Sequence, residues 1–318
     1  MIVTRSASDE AIARPSTVTI GVFDGLHLGH QSIMRAVVDR AALNGTTPTV
    51  VTFDPHPRSI LYPESAPPLL QTFEQRLEGM AFLGIRQVLA IPFTLDVAAL
   101  SAEEFVERFL VDGLDARAIY LGRGFAFGRK RSGNIEVLKK LSGRFGFEAD
   151  EVGEVELRGK RISSTATRRA LQLGRVNLAR RMLGRPYGVE GLVTEGRRLG
   201  GPVLGFPTAN IEPRSRVLPE RGVYVTATLV DGIWYRSVTN IGVRPTVGDD
   251  ERLIVETHIL DFDRPLYGTP IRVRFLHRLR GERKFPSIDD LRSQVSRDSD
   301  RARRYYRHPL VRRNLTVV

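Results

Sequence analysis

The sequence predicts an α/β unit built on a doubly wound parallel sheet, followed by a small antiparallel β-barrel closed by a C-terminal helix. Two observations carry this. The first half alternates short apolar runs with helical segments, and the second half changes to period-two strands separated by turns. Gly184 and Pro186 punctuate the change, so the two units are expected at 1–184 and 185–318. A chain of 318 residues exceeds one ordinary core, which agrees with two.

The elements follow in order. Ser16 to Ile20 is β-branched and reads as a first strand. Ser32 to Leu43 carries Ile33, Ala36, Val37 and Ala41 at helical spacing, with Asn44-Gly45 as its stop. Thr47 to Phe53 reads as a second strand, Glu74 to Leu83 as a helix closed by Gly84, and Arg86 to Ile91 as a third strand. Ser101 opens a helix through Leu110, and Glu104 three residues on completes a capping box. Ala116 to Leu121 is a fourth strand, Asn134 to Leu141 a helix, and Val176 to Met182 a short one. Beyond residue 184 come strands at Val189–Val193, Gly222–Val230, Ile233–Thr239, Leu253–Leu260 and Ile271–Leu276, then a helix from Ile288 to about Tyr306.

Composition bounds the function. Hydrophobic content of 42% and charged content of 26% are those of a globular chain, and the absence of cysteine excludes disulfides and thiolate metal sites. No signal pattern and no apolar run of roughly 18 residues is present, so a cytoplasmic location is expected, with no membrane partner. The formal charge of +12 would suit a nucleic-acid binder. Its basic residues are nevertheless dispersed, and the cluster from Arg301 to Arg313 reads equally as a solvated helix face. No nucleic-acid partner is expected, although a basic nucleic-acid-binding protein remains a rival reading.

Chemistry concentrates at Ile20-Gly-Val-Phe-Asp-Gly-Leu-His-Leu-Gly-His30, a glycine-rich turn between strand and helix. Helix N-termini present unpaired N–H groups and partial positive charge, and glycines admit a phosphate close to the backbone. His27 and His30, three apart, can donate to oxygens that gain charge during phosphoryl transfer. A metal pair is the weaker alternative, because no third ligand stands at a recognisable spacing. In parallel sheets ligands sit beyond the strands' carboxyl ends. The loops Gly21–His30, Phe53–Pro57 and Gly122–Gly128 end there, and Arg161-Ile-Ser-Ser-Thr-Ala-Thr-Arg168 adds hydroxyl donors between two guanidinium groups.

Gly-x-Phe-Asp-Gly-x-His-x-Gly-His, Phe53-Asp-Pro-His-Pro57, Phe125-Ala-Phe-Gly128 and Ile162-Ser-Ser-Thr165 together resemble the N-terminal adenylyltransferase module of bacterial bifunctional riboflavin kinase/FAD synthetases, a Rossmann-like nucleotidyltransferase. The resemblance implies that His27, Gly29 and His30 hold ATP phosphates and the transferring group, with Arg161, Ser164 and Thr165 closing over the nucleotide. By the same matching Phe23, Asp24, Gly25, Asp54, His56, Phe125, Phe127 and Arg168 contribute to nucleotide and flavin binding. One departure stands out. The family usually has Asn or Asp before Phe-x-Phe-Gly, and this chain has Gly124.

In the second half, Thr208 and Asn210 are spaced to point the same way in an extended segment, two neutral oxygens that suit magnesium shared with phosphates. Glu256, on a strand rich in Ile and Val, could accept a hydroxyl proton. Taken singly, each also reads as an ordinary turn or strand residue. With Asn240-Ile-Gly-Val-Arg-Pro-Thr246, Leu266-Tyr-Gly268 and Lys284-Phe285 they resemble the riboflavin kinase module of the same family. That resemblance implies a split barrel, Glu256 as catalytic base, Thr208 and Asn210 as the Mg2+ pair, and Gly205, Pro207, Asn240 and Arg244 around ATP and flavin. The loop Thr194 to Leu204 departs from the family, with Glu195 where histidine is common and Gly201 where arginine is common. Backbone N–H groups do most of the phosphate cradling in such loops. The expected activity is phosphorylation of riboflavin to FMN, then adenylylation of FMN to FAD. Mg2+ and ATP serve both steps, and the protein is a monomer or weak homo-oligomer acting on small molecules. A kinase alone, with adenylylation impaired through Gly124, is the nearer alternative.

Overall fold

The computed structural model describes residues 1–194, 206–214, 217–245 and 251–308, and its contacts divide the chain into two units, Met1–Ser164 and Thr165–Val318. In the first, β1 (Ile2–Thr4), β2 (Ser16–Ile20), α1 (Leu28–Asn44), β3 (Thr47–Phe53), α2 (Pro57–Leu61) and α3 (Phe73–Phe82) lead to β4 (Gln87–Ile91). Then come α4 (Leu95–Ala99), α5 (Ala102–Phe105), β5 (Ala116–Gly122), α6 (Ile135–Phe145), β6 (Glu148–Val152) and the hairpin of β7 (Glu156–Leu157) and β8 (Lys160–Arg161). The six-stranded sheet runs β1-β4-β3-β2-β5-β6 with every pair parallel. One face buries Ile33, Met34 and Val37 of α1 with Met80 of α3, and the other buries Phe105, Phe109 and Leu110 with Leu138 of α6. Helices on both faces make the sheet doubly wound, and its inner strands β2 and β4 are buried along their whole length because neither face is wet there. The loops after β2, β3 and β5 open at one end.

Several expectations shift by a residue or more. Helix α1 starts at Leu28 rather than Ser32, since His27 serves as its N-cap. The capping box of Ser101 and Glu104 is present, but the helix it starts changes to a π-helical stretch over Val106–Val111.

The second unit begins with α7 (Ser164–Gln172), whose first residue closes the first unit, and α8 (Val176–Leu183). Next are β9 (Tyr187–Thr194), β10 (Ala209–Pro213), β11 (Gly222–Val230), β12 (Ile233–Pro245), β13 (Glu251–Ile259), β14 (Pro270–Arg280) and α9 (Ile288–Arg307). The strands close a barrel in the order β10-β13-β12-β11-β14-β9, antiparallel throughout, which removes sheet edges. Helix α9 covers one outer face, where Ala302 and Tyr306 pack with Val223, Val225, Ala227 and Val238. Inside, the hydroxyls of Thr226, Ser237, Thr228, Thr239 and Thr257 satisfy one another at 2.7 to 2.8 Å. These buried polar groups are thereby tolerated.

Candidate functional site

The signature loop leaves β2 at Gly21, whose N–H donates to the Val51 carbonyl at 3.0 Å, and enters α1 through His27. His27 has extended backbone, and its Nδ1 accepts the N–H of His30 at 3.3 Å. An accepting Nδ1 carries no proton, so the neutral ring bears its hydrogen on Nε2 and is set up as a donor. The His27 and His30 rings stack with centroids 3.6 Å apart and planes inclined by 22°, and Phe23 meets His30 edge-on at 5.2 Å. Gly29 leaves room for the His27 ring: a Cβ there would stand 3.1 Å from His27 Cε1, a tight contact. Two imidazoles at the positive end of a 17-residue helix suit an anion whose charge grows during reaction.

The loop is tied from behind. The Asp24 carboxylate, 3% exposed, accepts the N–H of Leu70 at 3.0 Å and of Gln71 at 3.2 Å. The Ser164 hydroxyl donates to the Asp24 carbonyl at 2.9 Å. Asp24 therefore shapes the loop through its own buried hydrogen bonds. Gly25 holds a φ of +87°, and its missing Cβ leaves room for the Leu70 side chain.

In the barrel, strand register does the assembling. Asn210 on β10 lies opposite Glu256 on β13, and Glu256 lies opposite Asn240 on β12. Directly paired residues share a face, so these three polar side chains form one row across three strands, on the face opposite the buried Thr257. Two residues along the same face, His258 Nδ1 donates to the Pro207 carbonyl at 2.9 Å, and its ring meets Phe206 edge-on at 5.4 Å. Burial lowers the pKa of His258, disfavouring its charged form. The chain just before Thr208 is thereby held to the strand that carries Glu256.

Residues 9–166 match the family model described as FAD synthetase, and residues 183–306 the one described as riboflavin kinase. Over 290 residues the chain is 40% identical to the bifunctional riboflavin kinase/FMN adenylyltransferase of Pseudomonas fluorescens, covering 91% of this chain and 93% of the relative. The chain belongs to this family. Its counterpart in Escherichia coli (strain K12) is 35% identical over 292 residues, covering 91% and 92%. A crystal structure described as a macrolide-efflux protein from Streptococcus pneumoniae is 30% identical with a TM-score of 0.85, covering 95% of this chain and 98% of that one. That description is of the pneumococcal protein, and the likeness spans both folds seen here. Among the described residues no helix is long and apolar enough to cross a membrane.

The other residues that family resemblance singles out fall as follows. Asp54 pairs with Arg5 at 2.8 Å, and His56 caps α2 through its Nδ1. Phe127 is core, packed 5.5 Å from Phe105, while Phe125 is only partly buried against the same cluster. Arg161 pairs with Glu154 at 2.9 Å in the first unit, whereas Thr165 and Arg168 lie on α7 in the second. Gly124 has a φ of +72°, and its N–H donates to Glu151 at 3.4 Å beside the Arg123–Glu151 pair. Gly205, the altered loop from Glu195 to Leu204 and the side chain of Arg244 lie outside the described residues.

The donors present fit magnesium. Thr208 and Asn210 offer neutral hard oxygens, and Glu256 shares the row of Asn210. Mg2+ commonly takes few protein ligands and completes its shell with water and substrate phosphates. No group of three or more His, Cys, Asp or Glu able to hold a metal by itself occurs among the described residues. Sequence reasoning passed over Arg76, Glu151 and His258 as site neighbours. Only His258 had a signal, its place in Val255-Glu-Thr-His-Ile259.

Proposed function

We propose that the chain makes FMN from riboflavin and then FAD from FMN, with Mg-ATP as donor in both steps, in the cytoplasm and as a monomer or weak homo-oligomer. No nucleic acid or membrane takes part. The adenylylation module is assigned to 1–184 and the kinase module to 185–318. The observation that carries this reading is the row Asn210–Glu256–Asn240 on the barrel, standing in one chain with the paired imidazoles at the start of α1.

In the barrel, Glu256 accepts the proton of the terminal ribityl hydroxyl as that oxygen attacks the γ-phosphorus of ATP and ADP leaves. Thr208 and Asn210 would hold the Mg2+, which neutralises charge on the phosphate oxygens. In the first unit a phosphate oxygen of FMN attacks the α-phosphorus of ATP and pyrophosphate leaves. His27 and His30 donate to the oxygens on which charge develops, so no enzyme group is covalently modified. Asp24 and Ser164 hold the loop that carries the histidines.

The test uses Glu256→Gln in the full chain, with products separated by chromatography. FMN formation from riboflavin is expected to fall by about 10² to 10⁴, the range for loss of a general base. FAD formation from supplied FMN stays at the wild-type rate. A variant that loses both activities, or neither, refutes the division of labour.

A further inference from the structure

Helix α3 buries an arginine that the chemistry above leaves unused. Arg76 is 2% exposed, and its Nη1 donates to the Val22 carbonyl at 2.8 Å. Its guanidinium carbon lies 5.2 Å from the ring centroid of Phe73, one turn earlier on the helix. The same ring is approached at 5.6 Å by Arg5, which pairs with Asp54. Arg76 is thus linked to the loop after β2 directly and to the loop after β3 through the Phe73 ring and Arg5.

Packing alone does not account for an arginine here. Its Nε–H is buried with no hydrogen-bond partner, and burial lowers its pKa despite the attraction of Asp24, Asp54 and Glu74. A methionine would fill similar space without leaving a donor unsatisfied. What the guanidinium supplies is a grip. Residues on or just before α3 hold the signature loop at alternate positions: Arg76 at the Val22 carbonyl, Leu70 and Gln71 at the Asp24 carboxylate, and Gly79 at Leu26. At the last of these an added Cβ would stand 2.3 Å from Leu26 Cδ1. His27 is the next residue.

We propose that Arg76 is a positioning residue for adenylyl transfer: it fixes the Val22 carbonyl and so sets the placement of the loop that presents His27 and His30 to the nucleotide. The proposal rests on the adenylyl-transfer reading of that loop. Reacting groups displaced by about 1 Å lose on the order of 100-fold in rate, while ground-state binding is less sensitive.

The experiment compares Arg76→Met and Arg76→Lys with wild type in the full chain, measuring steady-state FMN adenylylation, riboflavin phosphorylation and thermal unfolding. For Arg76→Met the expected result is a kcat for adenylylation at least about 30-fold lower with KM for ATP within about threefold, on the scale of misplacement. Phosphorylation by the same molecules is unchanged. Lysine keeps the charge and an N–H donor on a flexible stem, so Arg76→Lys is expected to return to within about fivefold of wild type. An Arg76→Met enzyme with wild-type kcat, or one whose loss is all in KM, overturns the proposal, as does a lysine variant no better than methionine. If Arg76→Met does not fold, Phe73→Leu decides: a kcat drop of about fivefold or more supports the role, and an unchanged kcat overturns it. A wild-type chain that makes no FAD from FMN and ATP sinks the reading of the loop itself, and the wild-type control separates that failure.

Discussion

His27 does two things at once, and substitution can separate them. Its Nδ1 caps α1 by accepting the His30 N–H at 3.3 Å, while the ring, stacked 3.6 Å from that of His30, keeps its proton on Nε2. His27→Ala removes cap and donor together. A lost cap costs about 1 kcal/mol, which in a unit of this size lowers Tm by about 2 to 4 °C. A lost transition-state donor costs about 2.7 to 4 kcal/mol, or 10² to 10³ in kcat. Asparagine is among the best N-caps but has no group at the position of Nε2. His27→Asn should therefore recover the melting temperature and leave FMN adenylylation about 100-fold or more below wild type. The assay follows FAD from FMN and Mg-ATP by chromatography, with riboflavin phosphorylation as the control within the same chain. If His27→Asn makes FAD within about threefold of the wild-type rate, the imidazole is only a cap and the mechanism given for it is wrong.

Two further predictions concern other parts of the chain. At Gly124 the φ of +72° is one that asparagine tolerates, and an added Cβ would meet nothing within 4 Å. Gly124→Asn is therefore expected to fold as well as wild type and to raise kcat/KM for FMN adenylylation by about threefold to tenfold, consistent with one regained polar contact; a fall would show that the loop needs glycine there. In the barrel, burial lowers the pKa of His258 and of His277. Arg303 and Asp261 face His258, Asp261 being paired with both Arg303 and Arg236, and Arg301 faces His277. Both imidazoles are held below the ordinary value of about 6.5, so on acidification the unfolded chain takes up protons first. Stability is then lost as pH falls from about 6.5 through the lower folded-state values. Thermal unfolding between about pH 7.5 and 5.5 should show a falling Tm, with a shallower slope in His258→Asn; a Tm that rises on acidification contradicts the sign.

What sequence revealed divides along physical lines. Strands β2, β3 and β11 have the bounds that their apolar, β-branched runs imply, because both faces of each are buried and propensity agrees with packing. Strand β1 is illegible: three residues, two of them exposed, form a strand only because β4 offers a partner through Ile2 opposite Gln87. Strand β6 hides behind its own charges, as an edge can. The start of α1 was misplaced because histidine is not a usual cap. At the sites, the motifs disclosed which residues matter but not how they meet. Asn210, Glu256 and Asn240 lie far apart along the chain, and only strand register brings them into a row. Arg76 had no signal at all, since one arginine on a helix ordinarily faces water.

The hydrogen bond from Ser164 to the Asp24 carbonyl joins residues 140 positions apart. As the polypeptide leaves the ribosome, sheet strands and their helices can pair while later codons are still being read. The anion-binding turn receives its last support only when the final residue of its own unit emerges. Newly made chains shorter than that point carry the nucleotide motif without the finished cradle.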